Sequence, residues 1–167
     1  AGPARLHEVL LSGRADAVEQ PERVAGLALL SPIGFRPHRG LRNMPAFNLV
    51  ELGLRTPVVG WTLLRILGAF SHKFGFPNAT RTDIKRTIFG LNRLDWSLYE
   101  KQARQVTQPV LCAWAEDDKL IESEISNQVA ETLEAETLEF ESGGHNIQKS
   151  RAVEISEAVV DLAESSL

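Results

Sequence analysis

Cysteine is almost absent from this sequence, since Cys112 is the only one among 167 residues. A single cysteine excludes an intrachain disulfide framework and a metal site built from several thiolates. Cys112 stands inside an apolar run, which favours an inert buried thiol over a reactive one. His38 and His72 have no carboxylate or cysteine at the spacing of metal ligands. We therefore expect neither a metal nor a cofactor.

Strong net charge and long apolar runs are also lacking. The formal net charge is −4, which argues against nucleic acid or an anionic membrane surface as a partner. The most apolar helical stretch, Val58–Phe70, is shorter than the roughly 20 residues that span a bilayer. The N-terminus has no basic region followed by an apolar run, so no signal peptide is expected and a cytoplasmic location is predicted. Because the first residue is Ala1 and not methionine, we expect the chain to be a piece of a longer protein.

Three short runs have the character of β-strands: the apolar runs Val24–Leu30 and Val110–Ala115, and the strand-like run Glu136–Phe140. Helical patterns separate and follow them. Strands that alternate with helices predict an α/β fold, here a partial parallel sheet of about three strands with flanking helices and right-handed crossovers.

The region between the first two strands is too long for a plain crossover. It contains several helical segments, so residues 36–107 are predicted to form a helical cap or lid. The core of the α/β fold is then predicted to comprise residues 1–35 and 108–167. Helices are predicted to begin near Thr56, Thr80, Asp95, Ser123 and Ser150.

Aromatic residues of the predicted cap allow two interpretations. They line a pocket for an acyl chain, or they belong to an ordinary helical core, which is the commoner role of aromatic residues at helical spacing. The residues concerned are Trp61, Phe70, Phe74 and Phe76.

Groups able to transfer protons follow the last two predicted strands. The acidic cluster Glu116-Asp117-Asp118 comes directly after the second strand, and Gly143-Gly144-His145 follows the third. In an open α/β sheet, ligands bind outside the carboxyl ends of the strands. Both loops therefore project onto one edge of the sheet, and a carboxylate beside an imidazole there is the acid–base part of a nucleophilic hydrolase.

These segments, taken in order, resemble a known family. The run Pro21–Leu30, the helical insertion, Pro109–Leu111 leading to Asp117–Ile121, and Gly143-Gly144-His145 together resemble the C-terminal half of the α/β-hydrolase superfamily, in its lidded esterase, lipase and epoxide-hydrolase branch. The resemblance implies a serine hydrolase of small, apolar, ester-like substrates. It places the catalytic acid at Asp118, with Asp117 as the alternative, and the catalytic base at His145.

The sequence departs from that family at the nucleophile. The family carries it on a G-x-S-x-G elbow ahead of the strand Val24–Leu30, and this sequence has no such motif. Ser12, the nearest serine, has leucine and arginine where the elbow needs glycines. We therefore expect a fragment, or a chain with an altered segment, that lacks the elbow. Ser31, which ends the first strand before Pro32, is interpreted as a lining or structural residue.

Two other functions remain open. The first is a non-catalytic α/β-hydrolase-like module, or pseudoenzyme, that binds a partner or an apolar ligand. The second is an epoxide or haloalkane hydrolase with an aspartate nucleophile at the missing elbow. In each case a partial sheet leaves an open strand edge, so self-association through that edge is expected.

Overall fold

A computed structural model describes residues 17–19, 21–42, 47–73, 76 and 78–165 of the chain. Ser12 lies outside these residues. The chain divides into two compact units. The described residues of the sheet unit are 17–19, 21–42 and 96–165, and those of the helical unit are 47–73, 76 and 78–95.

The sheet unit is built on three parallel strands among its described residues. They are β1 (Leu27–Leu30), β2 (Val110–Ala115) and β3 (Glu136–Phe140), in the spatial order β1-β2-β3. The predicted partial parallel sheet is confirmed. Every residue of β2 is buried, because helices cover both faces of a parallel sheet. The first strand starts at Leu27, three residues later than predicted. A 3₁₀ turn occupies Pro21–Arg23 before it.

The helices of the described residues flank the strands in sequence. Those of the sheet unit are α1 (Arg39–Arg42), α5 (Trp96–Ala103), α6 (Ser123–Thr132), α7 (Ile147–Ser150) and α8 (Ala152–Ser165). Those of the helical unit are α2 (Phe47–Leu54), α3 (Pro57–Lys73) and α4 (Arg81–Leu91).

Two helix starts follow the predicted chemistry and two differ. Helix α3 begins at Pro57, whose fixed φ suits the first helical position. Thr80 caps α4 in a capping box with Asp83. The N-cap of α6, however, is Glu122 and not Ser123. Ser150 ends α7 and does not cap α8, because its hydroxyl donates to the carbonyl of Gly143.

Side chains alternate between the two faces of the sheet, so each face has its own core. On one face, Cys112 and Trp114 of β2 pack with Tyr99 of α5 and Val129 of α6. On the other face, Ala113 and Ala115 pack with the helices that follow β3 through Ile147 and Ile155. The small alanines let α7 and α8 approach the sheet closely, next to the loop that carries His145.

The helical unit has a smaller core of its own, formed by Leu54, Leu64, Ile84 and Ile88. Helix α3 leaves several large apolar side chains exposed, among them Trp61 and Phe70. Phe74 lies outside the described residues, and the acyl pocket remains a prediction. The interpretation of residues 36–107 as a cap also remains a prediction. No helix in the described part of the chain has the length and apolar character needed to cross a membrane.

Candidate active site

The turn after β2 buries a carboxylate in a network of hydrogen bonds. Asp118 is 4% exposed. Its Oδ1 accepts hydrogen bonds from the backbone N–H groups of Leu120, at 2.8 Å, and Ile121, at 3.2 Å. Its Oδ2 accepts from Nδ1 of His145 at 2.9 Å. Both oxygens are thus fixed by donors, as a buried carboxylate requires.

Opposing effects set the charge of Asp118. Burial alone raises the pKa of its carboxyl group. The hydrogen bond and the positive charge that His145 offers, together with the N–H groups of Leu120 and Ile121, outweigh burial and hold that pKa below its ordinary value. Asp118 is therefore an anion at neutral and mildly acidic pH.

The bond to Asp118 also fixes the chemistry of the imidazole. An ionised carboxylate only accepts hydrogen bonds, so Nδ1 of His145 carries a proton. In the neutral ring the lone pair then resides on Nε2. The side chain of His145 is 19% exposed, whereas that of Asp118, taken without its backbone, is 2% exposed. The arrangement combines a buried, oriented anion with a partly exposed imidazole.

The loop that carries His145 depends on two glycines for different reasons. Gly144 has a φ of +65°, a conformation that residues with a Cβ rarely adopt. At Gly143 a Cβ would lie 3.1 Å from Oγ of Ser150 and 3.3 Å from Cγ2 of Ile147. The first glycine of the pair thus permits close packing against α7, and the second permits the turn that presents the imidazole.

Asp117, the alternative acid, contacts the same loop but not the imidazole. Its Oδ1 accepts hydrogen bonds from the backbone N–H of Gly143 at 2.9 Å and from that of Gly144 at 2.7 Å. The two neighbouring aspartates are therefore directed at different parts of the Gly143-Gly144-His145 loop.

The far side of the acid turn is held by the segment around α1, which the sequence did not single out. Nδ1 of His38 donates to the carbonyl of Leu120 at 3.0 Å, and the N–H of Gly40 donates to the same oxygen at 3.1 Å. Glu122, which is 7% exposed, accepts from the N–H of Arg39 at 2.6 Å and pairs with the guanidinium of Arg42.

His38 is a buried residue, with only 8% of its surface exposed. It lies 82 positions before Leu120, and Arg39 lies 83 before Glu122. No local pattern in the sequence joins residues so far apart, which is why this contact was missed.

Ser31 directly follows β1, so it lies at the carboxyl ends of the strands, as do the two loops above. It is 4% exposed, and its φ is +47°, in the left-handed region. Its hydroxyl is the one buried side-chain oxygen or nitrogen of the described residues that has no hydrogen-bond partner. Backbone strain and an unpaired buried polar atom both cost free energy, and such features cluster at functional sites.

The described residues contain no group of three histidine, cysteine, aspartate or glutamate side chains able to hold a metal ion. They also assign no nucleophile to the Asp118–His145 pair. Ser12, the weak candidate from the sequence, lies outside them. The catalytic roles of Asp118 and His145 therefore remain predictions, although the two side chains are in contact.

Comparison with known proteins identifies the fold of this chain. The sequence matches no protein-family model, and no curated protein is significantly similar to it. Solved structures do match. The enol-lactonase of Burkholderia xenovorans LB400 aligns over 91% of this chain and 61% of its own, with 16% identity and a TM-score of 0.62. BpoC of Mycobacterium tuberculosis H37Rv aligns over 93% and 63%, with 17% identity and a TM-score of 0.64.

A monoacylglycerol lipase of Paleococcus ferrophilus aligns over 94% of this chain and 65% of its own, with 16% identity and a TM-score of 0.58. This chain thus spans less than two thirds of the length of each of these proteins. At such low identity the likeness establishes the fold alone. The resemblance to α/β-hydrolases that the sequence predicted is confirmed at that level: this chain carries part of the α/β-hydrolase fold.

Proposed function

We propose that Asp118 and His145 are the acid and base of a serine hydrolase that cleaves small, apolar, ester-like substrates. The observation that carries the proposal is the 2.9 Å hydrogen bond from Nδ1 of His145 to a buried, ionised Asp118. A carboxylate in this position holds the imidazole in one tautomer and stabilises the imidazolium that forms during the reaction.

The proposed mechanism uses His145 twice. Nε2 of His145 removes the proton of a serine hydroxyl as the oxygen attacks the ester carbonyl, and the same proton is then given to the departing alcohol oxygen. Water deacylates the enzyme by the same route. The family carries its nucleophile on a G-x-S-x-G elbow, and the 167-residue sequence has no such motif. One oxyanion donor alone is worth roughly 10²–10³ in rate. We therefore expect little or no turnover from these 167 residues alone.

The choice of an ester is supported by chemistry and by similarity of fold. An enol-lactonase and a monoacylglycerol lipase are among the matching structures, and lactones and acylglycerols are both carboxylic esters. A non-catalytic binding module remains the second candidate, because the sequence has no G-x-S-x-G elbow. The aspartate-nucleophile hydrolase stays a third proposal, since that nucleophile would stand at the same missing elbow.

Substitution of the base tests the hydrolase assignment. In the full protein that contains this chain, we expect His145→Ala to lower kcat/KM for a short-chain ester by on the order of 10⁴-fold, because a triad without its base loses the activation of the nucleophile. His72→Ala is the matched control, since His72 is an exposed histidine of the helical unit. Unchanged ester turnover in His145→Ala would show that His145 is not the base.

A covalent probe separates the two main candidates. A serine-reactive fluorophosphonate labels a serine only where a base activates its hydroxyl. Labelling of the 167-residue chain that is lost in His145→Ala and kept in His72→Ala would exclude a non-catalytic module. Absence of labelling in the full protein would favour that module.

A further inference from the structure

The contact between Asp117 and the histidine loop has no role in the proton transfers of the proposed mechanism. One carboxylate oxygen of Asp117 accepts two successive backbone N–H groups, those of Gly143 and Gly144, at 2.9 and 2.7 Å. Hydrogen bonds to an ionised acceptor are shorter and roughly twice as strong as neutral ones. The two peptides immediately before His145 are therefore tied to the turn that carries the acid.

The loop is held from its other side as well. Oγ of Ser150 donates to the carbonyl of Gly143 at 2.7 Å. The guanidinium of Arg151 donates to the carbonyl of Ser142 at 2.9 Å and to the hydroxyl of Ser142 at 3.0 Å. These contacts fix the loop to the helices that follow it, whereas Asp117 fixes the backbone of the loop to the turn after β2.

That difference matters for the distance between acid and base. Asp118 belongs to the turn after β2, and His145 belongs to the loop after β3. The two side chains meet only if these loops keep their spacing, and a displacement of about 1 Å is enough to impair catalysis strongly. Asp117 is the neighbour of Asp118, and it accepts a hydrogen bond from Gly144, the neighbour of His145. The contact of Asp117 therefore joins the same two loops as the contact between Asp118 and His145.

We propose that Asp117 is a positioning residue: its carboxylate holds the Gly143–Gly144 peptides so that the imidazole of His145 meets the carboxylate of Asp118. The catalytic meaning of this contact rests on the proposed function, but the contact itself does not. Asp117 is an exposed residue. Exposed ionic contacts add little to global stability, so its substitution changes the geometry of the loop more than the free energy of unfolding.

Nuclear magnetic resonance of the intact chain measures this geometry without any need for activity. The observables are the exchange rates of the Gly143 and Gly144 amide protons and the resonance of the Nδ1 proton of His145, which reports the bond to Asp118. In Asp117→Ala we expect both glycine amides to exchange about 10-fold faster, as loss of a hydrogen bond to a charged group requires. The Nδ1 proton signal of His145 should shift or broaden.

Two variants distinguish the loss of the hydrogen bonds from the loss of a charge and from an unspecific effect of substitution. Asp117→Asn keeps a carbonyl oxygen at the same position, so it should restore slow exchange and the Nδ1 signal. Glu116→Gln removes a charge from the exposed residue next to Asp117 and should change neither. The proposal is overturned if Asp117→Ala leaves the glycine amides and the Nδ1 signal as they were, or if Asp117→Asn behaves like Asp117→Ala.

The unsubstituted chain provides a test that does not depend on the folding of a variant. The amide protons of Gly143 and Gly144 should exchange slowly, because both donate to Oδ1 of Asp117. Exchange at the rate of unprotected amides would contradict the contact.

The fluorophosphonate reaction of the full protein separates this proposal from the proposed function. Slower labelling in Asp117→Ala, with recovery in Asp117→Asn, supports both. Undiminished labelling in Asp117→Ala overturns the positioning role. If the resonance signatures respond but no form of the protein is labelled, the hydrolase assignment fails while the contact of Asp117 with the loop stands.

Discussion

At the scale of single residues, neighbouring side chains of one type acquire different roles from their surroundings. Asp117 and Asp118 are consecutive carboxylates, yet Asp117 is exposed and bonds to backbone amides, whereas Asp118 is buried and bonds to an imidazole. Successive residues of a turn point in different directions, so a shift of one position decides which of the two carboxylates faces His145. Because both side chains are carboxylates, only their direction and burial distinguish their roles.

Ser31 is a residue whose backbone conformation and buried hydroxyl are both unfavourable for a serine. A left-handed φ costs a residue with a Cβ roughly 1–2 kcal/mol, and an unpaired buried hydroxyl costs about 1–3 kcal/mol. We expect Ser31→Gly to raise the free energy of unfolding by about 1 kcal/mol, after the larger backbone entropy of glycine is subtracted. Urea denaturation measures the change.

Ser150→Ala is the comparison for Ser31, because it removes a hydroxyl that donates to Gly143. It should lower the free energy of unfolding by about 1 kcal/mol. Destabilisation by Ser31→Gly of the same size would mean that the strain and the unpaired hydroxyl are not costly. Stabilisation together with weaker catalysis would assign the strain to function.

At the scale of elements, a buried carboxylate joins the helices of the helical unit. Glu51 of α2 is 6% exposed. It accepts from the amide of Asn92, just after α4, at 2.6 Å, and it pairs with Arg93 at 3.0 Å and with Arg55 at 2.7 Å. The hydrogen bond from Asn92 is the largest effect, and together with the two arginines it outweighs burial and lowers the pKa of Glu51 from 4.5 to about 2.

The sign of the pH dependence follows from that lowered pKa. Because the folded pKa of Glu51 lies below the unfolded one, its contribution to stability is fully present above about pH 5 and is lost as the pH falls towards 2. Glu51→Gln should therefore destabilise the helical unit at neutral pH and flatten its stability profile between pH 4.5 and 2. Thermal unfolding followed by circular dichroism across this range tests both.

Glu157→Gln serves as the control for Glu51, since Glu157 is an exposed carboxylate of α8. Its substitution should leave the profile between pH 4.5 and 2 as it is in the parent. Equal profiles for the parent and Glu51→Gln would show that the ion pairs of Glu51 do not stabilise the fold.

At the scale of the whole molecule, the edges of the described sheet differ in character. The edge strand β3 carries Glu136 and Glu139, and charged side chains on an edge strand discourage pairing with a strand of another chain. The strand β1 has the sequence LALL and no charge. The N–H of Leu27 donates to the carbonyl of Pro109, just before β2, and that of Ser31 donates to the carbonyl of Ala113 in β2. By alternation the N–H of Ala28 points away from β2. Among the described residues, β1 is thus the edge better suited to self-association.

A proline tests this edge without disturbing the other side of the strand. Ala28→Pro removes an N–H that β2 does not use, and proline is tolerated on edge strands in that position. If chains associate through β1, sedimentation velocity should show weaker association at high concentration in Ala28→Pro than in the parent. Leu29→Pro, which would break the ladder to β2, should unfold the sheet unit. Equal association of Ala28→Pro and the parent would exclude the β1 edge.

Much of the fold could be predicted because local physics dictates it. The runs predicted as the second and third strands match β2 and β3 to the residue. Pro57 and Thr80 mark helix starts by their own backbone and side-chain chemistry. The structure differs from the prediction where a side chain bonds to a neighbouring loop. Ser150 has the chemistry of an N-cap, but its hydroxyl donates to the carbonyl of Gly143.

The sequence by itself determined the three strands, their parallel direction and the two loops that carry the acid and the base. Periodicity, glycines and chain order are local properties, and parallel strands with short loops bring those loops to one edge. Only the tertiary structure decided that Asp118 faces the imidazole, that Asp117 holds the glycine peptides, and that the segment of His38 supports the acid turn. These outcomes depend on directions and distances between segments far apart in the chain, and no pattern within one segment contains them.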